Sequence, residues 1–341
     1  MNTALYILSF LSVQNPNLPI LEPQTSGTTH RLQAVSVVND RVVWVSGTGG
    51  TWARTLDGGA TWQTGVVPGA DSLEFRDVHG FSERVAYLLA AGPGQKSRIY
   101  KTLDGGRRWL QQFQNPDSLK FYDCFSFWNA NTGFAISDGV NGRLPVLRTT
   151  DGGGHWTMSA ASPHAGKGEG AFAASGTCVA TLGDSLGWFA TGAGDTAHIF
   201  RTRNRGRSWL SATTPIAQGS ATSGHSSVAF RTPLEGIAVG GDLADTLLAR
   251  PDNVIISHDG GATWTNGGRL TFVGPAYGGA VVPGTPATVV AVGPRGASWS
   301  VDGGVNWLPL DTTSHWSVAF AGKAAGWMVG PQGRITKVRL P

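Results

Sequence analysis

Short apolar runs recur in pairs along the chain. The first of each pair alternates or is nearly continuous and the second is richer in small residues: LQAVSVV with VVWVSG (32–38, 42–47), FRDVHGF with VAYLLA (75–81, 85–90) and FYDCFSF with GFAIS (121–127, 133–137). The later pairs are SSVAF with GIAVGG and WSVAF with GWMVG. Runs of this length, rich in Val, Phe, Ile and Trp and bounded by turn formers, predict strands rather than helices. No stretch approaches the length of a membrane-spanning helix.

Between the pairs a second motif returns on a regular period. It reads TLDGGATW at 55–62, TLDGGRRW at 102–109, TTDGGGHW at 149–156, a degraded TRNRGRSW at 202–209, SHDGGATW at 257–264 and SVDGGVNW at 300–307. Its third residues, Asp57, Asp104, Asp151, Asn204, Asp259 and Asp302, are 47, 47, 53, 55 and 43 residues apart. Such spacing suits four short strands and their turns in each repeat of a β-propeller. A carboxylate before two glycines can accept hydrogen bonds from the N–H groups of its own turn, and the glycines take backbone angles other residues resist. Trp62, Trp109, Trp156, Trp209, Trp264 and Trp307 each follow by five residues, which puts a large ring on the next strand for packing between repeats. Six equivalent carboxylate positions read as structural staples, not as catalytic acids.

The last strand pair, from Trp316 to Val338, has three strands' worth of sequence and no such motif after it. The segment from Pro19 to Gln24 can supply the missing strand and remove an exposed edge. The expected fold is therefore all-β: a seven-bladed β-propeller of four-stranded antiparallel blades, its last blade closed by an N-terminal strand. Residues 17–341 form this one domain, at about 46 residues per blade. Residues 1–16, with a mostly apolar run from Ala4 to Val13, are read as a signal or leader segment, which implies export to a periplasm or beyond.

Composition agrees with many turns and large packing units: 49 Gly, 18 Pro and 13 Trp in 341 residues, with 14% charged. The net charge of +4 is spread along the chain, so no basic patch suggests nucleic acid. Cys124 and Cys178 have no metal-ligand spacing. Aligning the inner strands places Asp77, Asp123 and Cys178 at equivalent positions and leaves Cys124 one residue out of register. A one-residue shift turns a side chain to the opposite face, so the expectation is two free thiols.

The carboxylate-glycine corners are those of Asp-box, or BNR-type, repeats, which occur in sialidases and other propellers. The fuller pattern, with GWMVGPQGRI at 326–335 and QTSGTTHRLQAVS at 24–36, resembles the photosystem II stability/assembly factor family. That resemblance covers nearly the whole chain from about residue 19 and implies a seven-bladed propeller with an assembly role beside a photosynthetic reaction centre. Relatives also occur in non-photosynthetic bacteria, and this chain is read as one of those. The photosynthetic members hold their partner with an arginine-rich patch. Here arginines are scattered, and Arg201, Arg203, Arg205 and Arg207 in the degraded fourth corner are the densest set.

Strand parity locates the working face. If the corners join strands three and four, the long insertions at 92–98, 137–145, 162–176 and 240–253 all fall on the opposite face, where variable loops on a rigid scaffold carry function. Candidate binding residues there are Asp138, Arg143, Glu169, His225, Asp242, Arg295 and His315. Asp77, Asp123 and Glu169 are the candidate catalytic acids, with Asp77 and Asp123 read either as an acid pair at the axis or as strand residues bonding backbone across it. No G-x-S-x-G, H-E-x-x-H, P-loop or helix-opening G-x-G-x-x-G is present, so no metal or cofactor is expected. The leading function is non-catalytic binding or assembly with a protein or glycan partner, by a monomer without a membrane span. A glycoside hydrolase is the alternative, and an oxidoreductase, a name attached to relatives, the third.

Overall fold

The computed structural model describes residues 18–248 and 250–341; the leader segment at 1–16 lies outside the described residues. Seven four-stranded antiparallel sheets surround one axis, forming a seven-bladed β-propeller. The first six blades start at inner strands Leu32–Val37, Phe75–Gly80, Tyr122–Phe127, Val179–Leu182, Ser223–Phe230 and Gly278–Val281. Blade seven starts at Ser317–Gly322 and runs through Ala325–Val329 and Arg334–Arg339. Its outer strand is Ile20–Thr25, paired antiparallel with Arg334–Arg339. The start of the ring thus covers the edge that the end would expose.

The hydrophobic core is divided among the joints between blades. Seven buried clusters occur, each drawing on two adjacent sheets, and the seventh joins Leu32, Val43 and Ala53 of blade one to Trp327, Val329 and Ile335 of blade seven. Each corner indole packs back on the preceding blade: Trp109 of blade two contacts Trp44 and Trp52 of blade one, with ring centroids 6.1 and 5.8 Å apart. Aromatics of the second strands and of the turn before one reach the other way. Trp44, Trp128 and Trp188 donate their indole N–H to the carbonyls of Ser82, Leu186 and Gly260 in the next blade. At the closing joint Gln24 Oε1 accepts from both Trp62 and Trp327, each at 3.1 Å.

The corners join third and fourth strands as expected. In the first, Asp57 Oδ1 accepts the Thr61 N–H at 2.9 Å and the Thr55 hydroxyl at 2.7 Å. The Gly59 N–H donates to Thr55 Oγ1 at 2.8 Å. Sequence reading missed this hydroxyl, which recurs as Thr102, Thr149, Thr202, Ser257 and Ser300. The Thr61 hydroxyl, the Thr61 N–H and the Thr55 hydroxyl hold the Asp57 carboxyl at about 2, below its ordinary range. The degraded corner keeps the geometry: Asn204 Oδ1 accepts the Ser208 N–H at 3.0 Å, and Arg205 takes the first glycine's place at φ 58°.

One expectation is overturned. Cys124 and Cys178 form a disulfide, with Cα atoms 6.1 Å apart. The inner strand of blade three starts at Tyr122, one residue later than its match to blade two suggests; Tyr122 pairs with Ser137 and Cys124 with Ile136, so Asp123 is the extra residue of a β-bulge. Blade two carries the same bulge at Arg76. Asp77, Cys124 and Cys178 are therefore the equivalent positions, and Asp123 corresponds to Arg76. The two cysteines, both fully buried, face each other across the joint between blades three and four.

Candidate functional site

Inner strands begin at the mouth opposite the corners, and their first residues build a cleft there. In chain order, Arg76 and Asp123 are bulge residues, while Tyr277 and Trp316 immediately precede the inner strands of blades six and seven. A bulge re-aims one side chain without disturbing the sheet below. The resulting cleft has a volume of about 450 Å³ and is lined by residues of blades two to seven and by Ala171–Ala174 of the insertion after blade three. Ala193, which sits at φ 59°, Ala221 and Leu243 form its apolar lip. Beneath it an axial channel of about 340 Å³ is lined by the inner strands.

Two acids meet in this cleft. Asp123 is only 1% exposed and its Oδ2 has no hydrogen-bond partner. Burial, then the neighbouring Asp138 carboxylate, pushes its carboxyl well above the usual range, against the pull of Arg76. Asp138 accepts the Ala171 N–H at 2.9 Å, and burial raises it to about 6. Arg76 donates through Nε and Nη2 to Glu74 at 2.9 and 2.6 Å. On the far wall the Tyr277 and Trp316 rings lie 4.8 Å apart, and the Arg31 guanidinium sits 4.6 Å from the Trp316 ring centre.

The remaining candidates divide differently. Asp77 does not pair with Asp123: it lines the channel, and its Oδ2 accepts the Phe125 N–H of the adjacent blade three at 2.9 Å, a bond to the neighbouring inner strand and not across the axis. Burial raises its carboxyl well above the usual range. Glu169 is a clasp for its insertion, accepting from the Gly166 N–H at 2.7 Å and from the Thr191 hydroxyl, with His198 Nδ1 at 2.9 Å. Those bonds outweigh desolvation and leave its carboxyl below the ordinary value. Fully buried His225 joins the same network, Nδ1 lying 2.7 Å from the Thr191 carbonyl and Nε2 3.0 Å from Thr214 Oγ1; desolvation lowers it to about 4. His315, also fully buried, pairs with Asp311 at 2.7 Å.

Arg143 Nη1 donates to the Ser162 carbonyl at 3.0 Å and lines a separate groove with Asp117 and Lys120. Asp242 accepts the Thr222 hydroxyl at 2.6 Å, and Arg295 is exposed in the turn before Gly296. Of the proposed site residues, then, only Asp123 and Asp138 come together in the cleft. Arg76, Tyr277 and Trp316 complete it, and their shared signal was their place at the mouth end of an inner strand, one residue before the position of Asp77. Among the described residues no cluster of three or more His, Cys, Asp or Glu can hold a metal ion, and no helix is long and apolar enough to cross a membrane.

Comparison with known proteins places the fold. No family model matches the sequence, and neither does any curated protein. Among solved structures, the chain is similar to "YCF48 bound to D1 peptide" at TM-score 0.65 and 14% identity, covering 96% of both chains. YCF48 from Cyanidioschyzon merolae matches at TM-score 0.63 and 15% identity, over 94% of this chain and 98% of that one. A GH74 enzyme of Niastella koreensis matches at TM-score 0.61 and 14% identity, over 93% of this chain and 53% of that one. Propellers with different tasks therefore share this architecture, and the task must be argued from the site.

Proposed function

We propose that this chain is a binding propeller that docks an extended segment of a partner protein in the cleft at its loop-rich mouth. The observation that carries the reading is the cleft itself: open, about 450 Å³, with an aromatic wall, an acid pair and an apolar lip contributed by separate blades. Concave, mostly apolar sites with a few convergent polar groups are where ligands bind. A rigid ring supplies such a site without conformational change, which limits the entropy lost on docking. The similarity of shape to a propeller bound to a peptide supports a protein ligand. The Cys124–Cys178 bridge supports work in an oxidising compartment, consistent with export.

The test is capture of partners from the native host by wild type, by a Tyr277→Ala/Trp316→Ala cleft variant, and by a Val305→Ala control on the corner face. The reading expects loss of the bound protein in the cleft variant alone. Equal recovery from all three removes it.

A second reading, glycoside hydrolysis, is favoured by one observation. Asp123 and Asp138 form a buried carboxyl pair with both members raised, the kind of pairing in which one carboxyl stays protonated beside the other. It requires turnover of a polysaccharide or aryl glycoside that is abolished by Asp138→Asn. A screen without turnover retires it.

A further inference from the structure

The acid pair also indicates what part of a partner the cleft selects. We propose that a Lys or Arg side chain of the docked segment enters the cleft between the Asp123–Asp138 pair and the Tyr277–Trp316 wall. This deepens the docking reading and rests on it.

Asp123 Oδ2 is the starting point, because a buried carboxyl oxygen with no partner is costly and its side chain lines a cleft that a ligand can fill. The chain's own cations do not satisfy it. Arg76 spends its Nε and Nη2 on Glu74 and directs Nη1 at the Ala173 carbonyl, 3.4 Å away. Arg31 lies over Trp316, 3.6 Å from the same Glu74. Among the described residues neither Asp123 nor Asp138 has an ion-pair partner.

The opposite wall has matching chemistry. Aromatic faces attract ammonium and guanidinium groups, and Arg31 already occupies Trp316 in that manner. Two carboxyls on one side and two rings on the other make a seat for a long side chain whose stem is apolar and whose tip is charged. A bare metal ion fits less well, since only two carboxyls converge. The cleft is also larger than one side chain requires, and its lip of Ala193, Ala221 and Leu243 is suited to the residues flanking the inserted one.

Proton linkage gives the test its signature. The titratable and charged groups lining the cleft with the pair are Arg76 and Tyr277; Arg31, over Trp316, and Glu74, bound to Arg76, lie behind the lining. A ligand cation favours the ionised carboxyls, so its binding releases protons and strengthens as pH rises.

The experiment uses the whole chain and four blocked pentapeptides, alanine except for a central Lys, Arg, Gln or Glu. Calorimetry at pH 7.5 in two buffers of different protonation enthalpy should show the Lys and Arg peptides binding at least about tenfold tighter than the Gln peptide, a difference of about 1.4 kcal/mol. Proton release should accompany it, with about tenfold weaker binding at pH 5. Asp138→Asn should erase the selectivity, as should Asp123→Asn. Because Asp123 is buried and that variant can fail to fold, proton release by wild type and the Asp138→Asn result decide the matter alone. Equal affinity for Lys and Gln, no proton release, or selectivity that survives Asp138→Asn overturns the proposal. If the Gln or Glu peptide binds as tightly as the Lys peptide and Trp316→Leu abolishes that binding, the proposal falls and the docking reading stands; if no peptide binds, both fall.

Discussion

Removing the disulfide gives the sharpest test of how the ring is held. Replacing both Cys124 and Cys178 with Ala frees a covalent loop spanning 54 residues in the unfolded chain. Chain-entropy arguments put that at about 4 kcal/mol of stability. Alanine is the right replacement, since both positions are fully buried among Phe134, Ile136, Val179 and Phe189, where a serine hydroxyl would lack a partner. For 341 residues the entropy of unfolding near 60 °C is about 0.7 kcal/mol/K, so the variant should melt about 6 °C lower. Scanning calorimetry of the oxidised wild type, the reduced wild type and the double variant measures it, with thiol titration of the denatured, unreduced protein as the companion assay. The reasoning is refuted if the oxidised protein titrates two thiols, or if variant and oxidised wild type melt within about 1 °C of each other.

Three further outcomes follow from the geometry. Gly303 has φ +76° with open space around a Cβ, while at Gly304, φ +96°, a Cβ would sit 2.8 Å from Ile237 Cδ1. Gly303→Asn should therefore cost less than about 1 kcal/mol, and Gly304→Ala about 2 kcal/mol or more, by urea unfolding. Gln24→Leu leaves the indole N–H groups of Trp62 and Trp327 without their shared acceptor, a loss of roughly 2–4 kcal/mol at the closing joint, visible as faster amide exchange over 334–339. Asp138 has its carboxyl raised to about 6 by burial, above its unfolded value near 4, so its favourable contribution is complete below pH 4 and is lost as pH rises through 6. Asp138→Asn should abolish that component: the melting temperature of wild type relative to the variant should fall between pH 4 and pH 6, and a constant difference would contradict the assignment.

What could be read from sequence was what depends on neighbours in the chain. The corner motif is a closed set of bonds within eight residues, so Asp57, Gly59 and Trp62 announce it wherever they recur, and Asn204 with Arg205 still satisfies the same donors. Blade number and the closing strand followed from six corners on a regular period and a last repeat of three strands with no corner after it. The cysteine pairing failed for a local reason: FRDVHGF and FYDCFSF match Phe for Phe and Asp for Asp, yet the inner strand of blade three starts at Tyr122, one residue after Phe121, so Cys124 and not Asp123 takes the place of Asp77. The cleft was hidden for a different reason. Its walls are Arg76, Asp123, Tyr277 and Trp316, which share a backbone position in different blades but no chemistry, so no motif marks them. Their common place at the mouth end of an inner strand was the available signal, and the family resemblance, which points to arginines, pointed to Arg201–Arg207 instead.

Site-specific photo-crosslinking in the native host tests the docking account most directly. A benzophenone side chain placed at Leu243, on the lip of the cleft, should form a covalent adduct with a partner protein, and the same group at Val305 on the corner face should not. Adducts from Val305 and none from Leu243 would put the working surface on the wrong side of the ring and contradict the account.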